Sequence, residues 1–106
     1  MESRDQLFKA LSDPTRRTLF ERLCREGEMT VGALTAQAGI SQPAVSKHLG
    51  VLKRAGLVRD YPEGRLTRYR AEPRNLLPLI DWTREMANFW EDRFDALGDL
   101  LNRMDQ

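Results

Sequence analysis

The segment Ser41–Val58, SQPAVSKHLGVLKRAGLV, changes its period part-way along. Up to Gly56 the pattern is helical. Val45, Leu49 and Leu52 recur at steps of four and three, so they share one narrow sector of a helical wheel. Ser41 suits the N-cap, Pro43 is tolerated in the first turn, and Gly56 suits the position just past the helix end. Beyond Gly56 the pattern alternates. LVRDYP and RLTRYRA read as two strands joined at Pro62–Glu63–Gly64–Arg65, a hairpin turn with its glycine. A helix that runs straight into a hairpin leaves few small folds open.

The flanking sequence narrows them further. A first helix is expected from Ser3, with Leu7, Phe8 and Leu11 on one side, ending at SDP. A second begins there, with Asp13 as N-cap and Pro14 at the first helical position, and Gly27 stops it. Leu19, Phe20, Leu23 and Cys24 are expected along its apolar face. Thr30 can cap a short third helix that turns Val31, Leu34 and Ala38 inward and closes at Gly39. From Pro73 onward Leu76, Ile80, Met86, Trp90, Phe94, Leu97, Leu101 and Met104 recur at three- and four-residue steps, widened by Trp82 and Phe89. Such a helix would be roughly 40 Å long, whereas a chain of about 100 residues has a radius of gyration near 13 Å. Part of its apolar face therefore needs another surface, most simply a second copy of the chain.

The length of 106 residues fits one domain, and 41% hydrophobic with 31% charged residues fits a globular chain rather than a disordered one. The longest apolar run, LLPLI, is too short to span a bilayer. MESRDQLFKAL lacks a basic leader followed by an apolar run, and Cys24 has no second cysteine to pair with, so a cytoplasmic location and no membrane partner are expected. The net charge of +1 hides an asymmetry. Residues 1–40 balance, residues 41–74 carry eight bases against three acids, and residues 75–106 carry three bases against seven acids. A basic middle points to a polyanionic partner.

Two short helices joined by a tight glycine-containing turn, at 30–38 and 41–55, make a helix-turn-helix. In its DNA-binding form the second helix enters the major groove and its N-terminal residues touch base edges. Gln42 can pair with adenine, Ser46 can donate or accept, and Pro43 and Ala44 are slight enough to approach a thymine methyl. Lys47 and Arg54 can hold phosphates. The hairpin that follows carries Arg65 at its tip and Arg68 and Arg70 on one face, which makes it a basic wing able to reach a neighbouring minor groove or backbone.

FKALSDPTRRTLFERL, then TVGALTAQAGISQPAVSKHLGVLKRAGLV, then EGRLTRYR resemble the bacterial ArsR/SmtB family of winged helix-turn-helix repressors over nearly the whole chain. The resemblance implies a mainly α fold with a small β-hairpin, in the order α-α-α-α-β-β-α, dimeric through its first and last helices. It implies a homodimer that binds operator double-stranded DNA. Ser41, Gln42, Ser46, Lys47 and His48 would belong to the recognition helix, and Arg65 and Arg68 to the wing. Leu7, Phe8, Leu11, Trp82, Met86, Phe89, Trp90, Phe94, Leu97 and Leu101 would lie at the dimer interface. Residues 1–106 would form one DNA-binding domain, with the helix-turn-helix at 30–55, the wing at 57–71 and the dimerisation helix at 73–104.

The departure from the family pattern also matters. Many members sense metals through Glu-Leu-Cys-x-Cys-Asp-Leu, but the matching stretch here is EMTVGAL, with Thr30 and Gly32 at the two cysteine positions. Neither residue ligates a soft metal, and the last helix has no histidine. The expectation is the metal-independent branch, with no metal and no cofactor. The alternatives are a metal- or thiol-responsive repressor, or a winged-helix module that binds proteins. An enzyme is not expected, because no acid–histidine cluster, phosphate-cradling glycine loop or metal spacing is present. Among single residues, His48 is expected to bond a phosphate or to act structurally, Cys24 to pack as a small hydrophobe, and Arg16 and Arg17 to pair with acids.

Overall fold

The computed structural model describes residues 2–104. The chain forms two compact units, one ending at Leu76 and the other beginning at Leu77. In the first unit the order is α1 (Glu2–Leu11), α2 (Pro14–Glu26), β1 (Met29–Thr30), α3 (Val31–Ala36), α4 (Gln42–Arg54), β2 (Val58–Glu63), β3 (Leu66–Ala71) and a 3-10 turn at Pro73–Leu76. The second unit contains α5 (Leu77–Met104), 28 residues long. The fold is thus mainly helical, with a small antiparallel sheet.

Local chemistry sets the boundaries. Asp13 caps α2 by accepting the Arg16 backbone N–H at 2.9 Å, and Pro14 follows in the first turn. Thr30 and Ser41 cap α3 and α4 in the same way. The end of α4 is a Schellman turn. The Gly56 N–H donates to the Lys53 carbonyl and the Leu57 N–H to the Leu52 carbonyl, with Gly56 at φ +81. The carbonyl of Gly56 then accepts from the Asn75 side-chain amide at 2.7 Å.

Arg16 and Arg17 correct an expectation. Among the described residues neither guanidinium forms an ion pair with an acid. Arg16 donates to the carbonyls of Ala10 at 2.7 Å and Lys9 at 3.0 Å, and Arg17 to that of Leu11 at 2.7 Å. These carbonyls belong to the last turn of α1, beyond the reach of its own i+4 ladder, where the helix dipole also favours a cation, and that of Lys9 accepts from Ser12 as well. Arg16→Leu should therefore cost about 1–2 kcal/mol in urea unfolding, and the more exposed Arg17→Leu less. Equal, negligible losses would contradict this capping role.

The core of the first unit gathers Leu7, Leu19, Phe20 and Leu23 with Leu34, Val45, Leu49, Leu52, Leu57 and Tyr69. Val45, Leu49 and Leu52 are each 0% exposed. Cys24, expected in the same layer, is exposed. At 3.6 residues per turn it sits about 90° from the centre of the Leu19–Phe20–Leu23 stripe, beyond the buried sector.

The sheet has one strand more than the sequence reading gave. Its order is β1-β3-β2, with Met29 opposite Tyr69 and Thr30 opposite Arg68 on one side of β3. On the other side β2 and β3 form the hairpin, in register from Val58 opposite Ala71 to Glu63 opposite Leu66. The loop is only Gly64–Arg65. Gly64 has φ +64 and Arg65 does not have a positive φ, the arrangement of a II′ turn. Pro62 is accommodated because β2 is an edge strand.

Candidate nucleic-acid interface

The buried stripe of α4 fixes what its other side offers. Gln42, Pro43, Ser46 and Lys47 are exposed, and Ala44 is partly buried on a shoulder. Ser41 is engaged as the cap, its Oγ accepting the Ala44 N–H at 3.3 Å. The hairpin turn carries Arg65, exposed, with exposed Leu66 and Thr67 after it. Gln42 and Ser46 line one open groove of about 510 Å3 together with Gly32, Arg65, Leu66 and Thr67. The first turns of the fourth helix and the tip of the hairpin thus bound a single concavity. Lys47 and Arg65 have no hydrogen-bond or ion-pair partner among the described residues, so both ammonium and guanidinium are available to an anion.

Other candidates lie elsewhere. Arg54 is at the far end of α4, roughly 18 Å of helix rise from Gln42. It lines a separate cleft between α1 and α4 with Lys9 and Arg16. Arg68 stands on the outer face of the sheet, paired with Glu63, and Arg70 pairs with Glu72 at 3.0 Å. On the same face the Tyr61 hydroxyl is held protonated beyond its usual range, first by its hydrogen bond to the Glu28 carboxylate. His48 turns toward α2, its Nδ1 4.0 Å from Asp13 Oδ2. The Asp13 carboxyl is held below the ordinary range, chiefly by the Arg16 N–H and further by the charges of His48 and Arg16.

The groove also includes residues that the sequence reading did not select, among them Gly32, Asp60, Leu66 and Thr67. Leu66 and Thr67 directly follow the turn, and proximity to the hairpin tip was the available signal. Gly32 enters only through the folding of α3 against the wing.

Residues expected at a dimer interface divide in two. Leu7 is a core residue of the first unit, 1% exposed, because Leu7 and Ala10 define the inward side of α1. Phe8 is exposed and Leu11 partly buried. In the second unit Trp82 and Met86 are partly buried, whereas Phe89, Trp90, Phe94, Leu97 and Leu101 are exposed. Phe89 and Trp90 meet edge to face at 6.1 Å, and Arg93 sits 4.5 Å above the Phe89 ring.

The Cys24 thiol is held up by desolvation and by Glu21, which disfavours the reactive thiolate. Among the described residues no three His, Cys, Asp or Glu side chains gather as a metal set. No helix of the described residues is long and apolar enough to cross a membrane.

Known proteins share this arrangement. Residues 11–61 match a helix-turn-helix domain family. The chain is 41% identical to the HTH-type transcriptional regulator Rv2034 of Mycobacterium tuberculosis over 102 residues, covering 92% of this chain and 94% of that protein. It is 38% identical to the transcriptional repressor SdpR of Bacillus subtilis, covering 80% and 90%. The crystal structure of the ArsR family transcriptional regulator RHA00566 superposes with a TM-score of 0.77 at 32% identity, covering 85% of this chain and 92% of that one. The chain belongs to the ArsR family of winged helix-turn-helix transcriptional regulators. Another structure is similar: the homodimeric winged helix-turn-helix DNA-binding domain Mb0332 of Mycobacterium bovis, solved by NMR, has a TM-score of 0.67 at 26% identity and covers 82% of this chain and 80% of that one.

Proposed function

We propose that this chain is a cytoplasmic, homodimeric repressor that binds a double-stranded operator through the α4–wing groove. The observation that carries the reading is that groove, which joins Gln42 and Ser46 to Arg65, with unpaired Lys47 beside it. In this reading residues 30–55 read the major groove, 57–71 form the wing, and 73–104 hold the dimer. Two recognition helices related by a two-fold axis would fit an inverted repeat with half-site centres roughly 34 Å apart. Gln42 and Ser46, with Pro43 and Ala44 beside them, meet base edges, while Lys47 and Arg65 hold phosphates. Arg68 reaches a phosphate only by giving up Glu63, and Arg54 only at the edge of the footprint. The protein acts by binding and not by catalysis.

The metal-independent reading has a local basis. Thr30, at one of the two cysteine positions of metal-sensing members, is occupied as the α3 cap, its Oγ1 accepting the Ala33 N–H at 3.1 Å. The other cysteine position, 32, is a glycine.

Selection of bound duplexes from a random DNA pool tests binding, symmetry and spacing together. Enrichment of no sequence, or of one without two-fold symmetry, would overturn the reading. With the selected operator in hand, two variants separate the roles. Lys47→Ala should weaken binding to all sequences alike and reduce the salt slope by about 1. Gln42→Ala should relax preference at one base position, at a cost of about 1–3 kcal/mol there. Identical behaviour of the two would contradict the division between phosphate and base contacts.

A further inference from the structure

His48 lies one residue after Lys47, yet it does not share its surroundings. Its side chain is 24% exposed, whereas Ser46 and Lys47 are open to solvent. On the helical wheel it falls about 60–70° from the centre of the Val45–Leu49–Leu52 stripe, at the edge where α4 meets α2. There its Nδ1 comes within 4.0 Å of Asp13 Oδ2. That oxygen is already fixed, because it accepts the Arg16 N–H as the cap of α2. Arg16 is in turn tied to the end of α1 through the carbonyls of Lys9 and Ala10. His48 therefore faces an immobilised carboxylate at the point where α1, α2 and α4 converge.

We propose that His48 is a positioning residue, which pins the recognition helix to the capped start of α2 through Asp13 instead of touching DNA. The inference rests on the DNA-binding reading above. The link depends on charge. Asp13, its carboxyl held below the ordinary range, presents a fixed negative charge, and the ring is attracted to it only while it carries a proton. Charges acting on Asp13 come from His48 and Arg16, and Arg16 keeps its charge throughout. The other nearby cations are Lys47 on α4, and Arg17, which is turned to the α1 carbonyl of Leu11. α3 has no charged residue. A recognition helix held in one orientation spends more of its time competent to bind, and apparent affinity scales with that fraction.

The test measures operator binding by fluorescence anisotropy at pH 6.0 and 8.5, at fixed ionic strength. It compares wild type, His48→Gln, Asp13→Asn and the double variant. Asparagine preserves the cap of α2, so Asp13→Asn removes charge and leaves the fold. Wild type should tighten between pH 8.5 and 6.0 by about two- to five-fold more than His48→Gln. Asp13→Asn should abolish that excess, and the double variant should match it. An excess that persists or grows in Asp13→Asn would overturn the proposal, because it would mean that protonated His48 acts on a phosphate. Wild type no more responsive than His48→Gln would overturn it too. If wild type binds no duplex at either pH, the DNA-binding reading falls instead. The clamp is then judged by urea unfolding of the same four proteins. Coupling between positions 13 and 48 at pH 6.0 that vanishes at pH 8.5 supports it, and additivity at both overturns it.

Discussion

Leu49→Ala should destabilise the first unit by about 2–5 kcal/mol and lower its thermal midpoint by about 10–30 °C. Leu49 is 0% exposed and central in the buried stripe of α4, between Val45 and Leu52. Truncation removes three carbons from a layer shared with α2, α3 and the sheet, where the surroundings collapse only in part. A small domain has only about 5–15 kcal/mol of stability to lose. The effect on DNA binding should exceed what unfolding alone accounts for, because α4 would rest on a cavity and hold its orientation less firmly. Lys47→Ala, on the opposite side of the same helix, should stay within about 0.5 kcal/mol of wild type in stability. Urea unfolding of the two variants checks this. A cost below about 1 kcal/mol for Leu49→Ala would mean that α4 is not seated on the core as described.

The ends of α4 and the hairpin could be read from the sequence because each is set by nearest neighbours. Ser41 caps, Gly56 takes the left-handed position, and Gly64 allows a two-residue turn. The inward set Val45, Leu49 and Leu52 followed from spacing alone. What escaped reading depends on residues distant along the chain. β1 is two residues long, too short for any period, and is a strand only because β3 lies beside it. The pattern starting at Pro73 merged a 3-10 turn with a helix beginning at Leu77, since both bring residues three apart onto one side. Arg16 and Arg17 were expected beside acids because charge is visible in a sequence and an unpaired carbonyl is not. His48 lies on a shoulder of the wheel, where spacing does not decide between solvent and a neighbouring helix. Asp13 decides it, and Asp13 could be read only as a cap.

Phe94→Glu should convert the protein from dimer to monomer and abolish tight operator binding. α5 spans about 42 Å, and none of its residues is buried. Trp90, Phe94, Leu97, Leu101 and Met104 recur in steps of four, three, four and three, the seam of a helix that pairs with another. Phe94 is 64% exposed within that seam. An apolar stripe of this length is rarely left in water, and a second copy is the partner proposed above. In a two-fold interface one substitution places two carboxylates together, one from each protomer. Burying them without partners costs several kcal/mol, and each 1.4 kcal/mol is about ten-fold, so dimerisation should weaken by at least about 100-fold. A monomer of 12.2 kDa carries one reading head and loses the joint grip on two half-sites. Because Phe94 belongs to no core of the first unit, circular dichroism should still report a folded protein. Asn88→Glu, about 160° away from Trp90 on the wheel, should leave the dimer intact. Sedimentation velocity with operator titration reads both variants. A Phe94→Glu protein that sediments as a dimer with unchanged operator affinity would remove α5 from the interface.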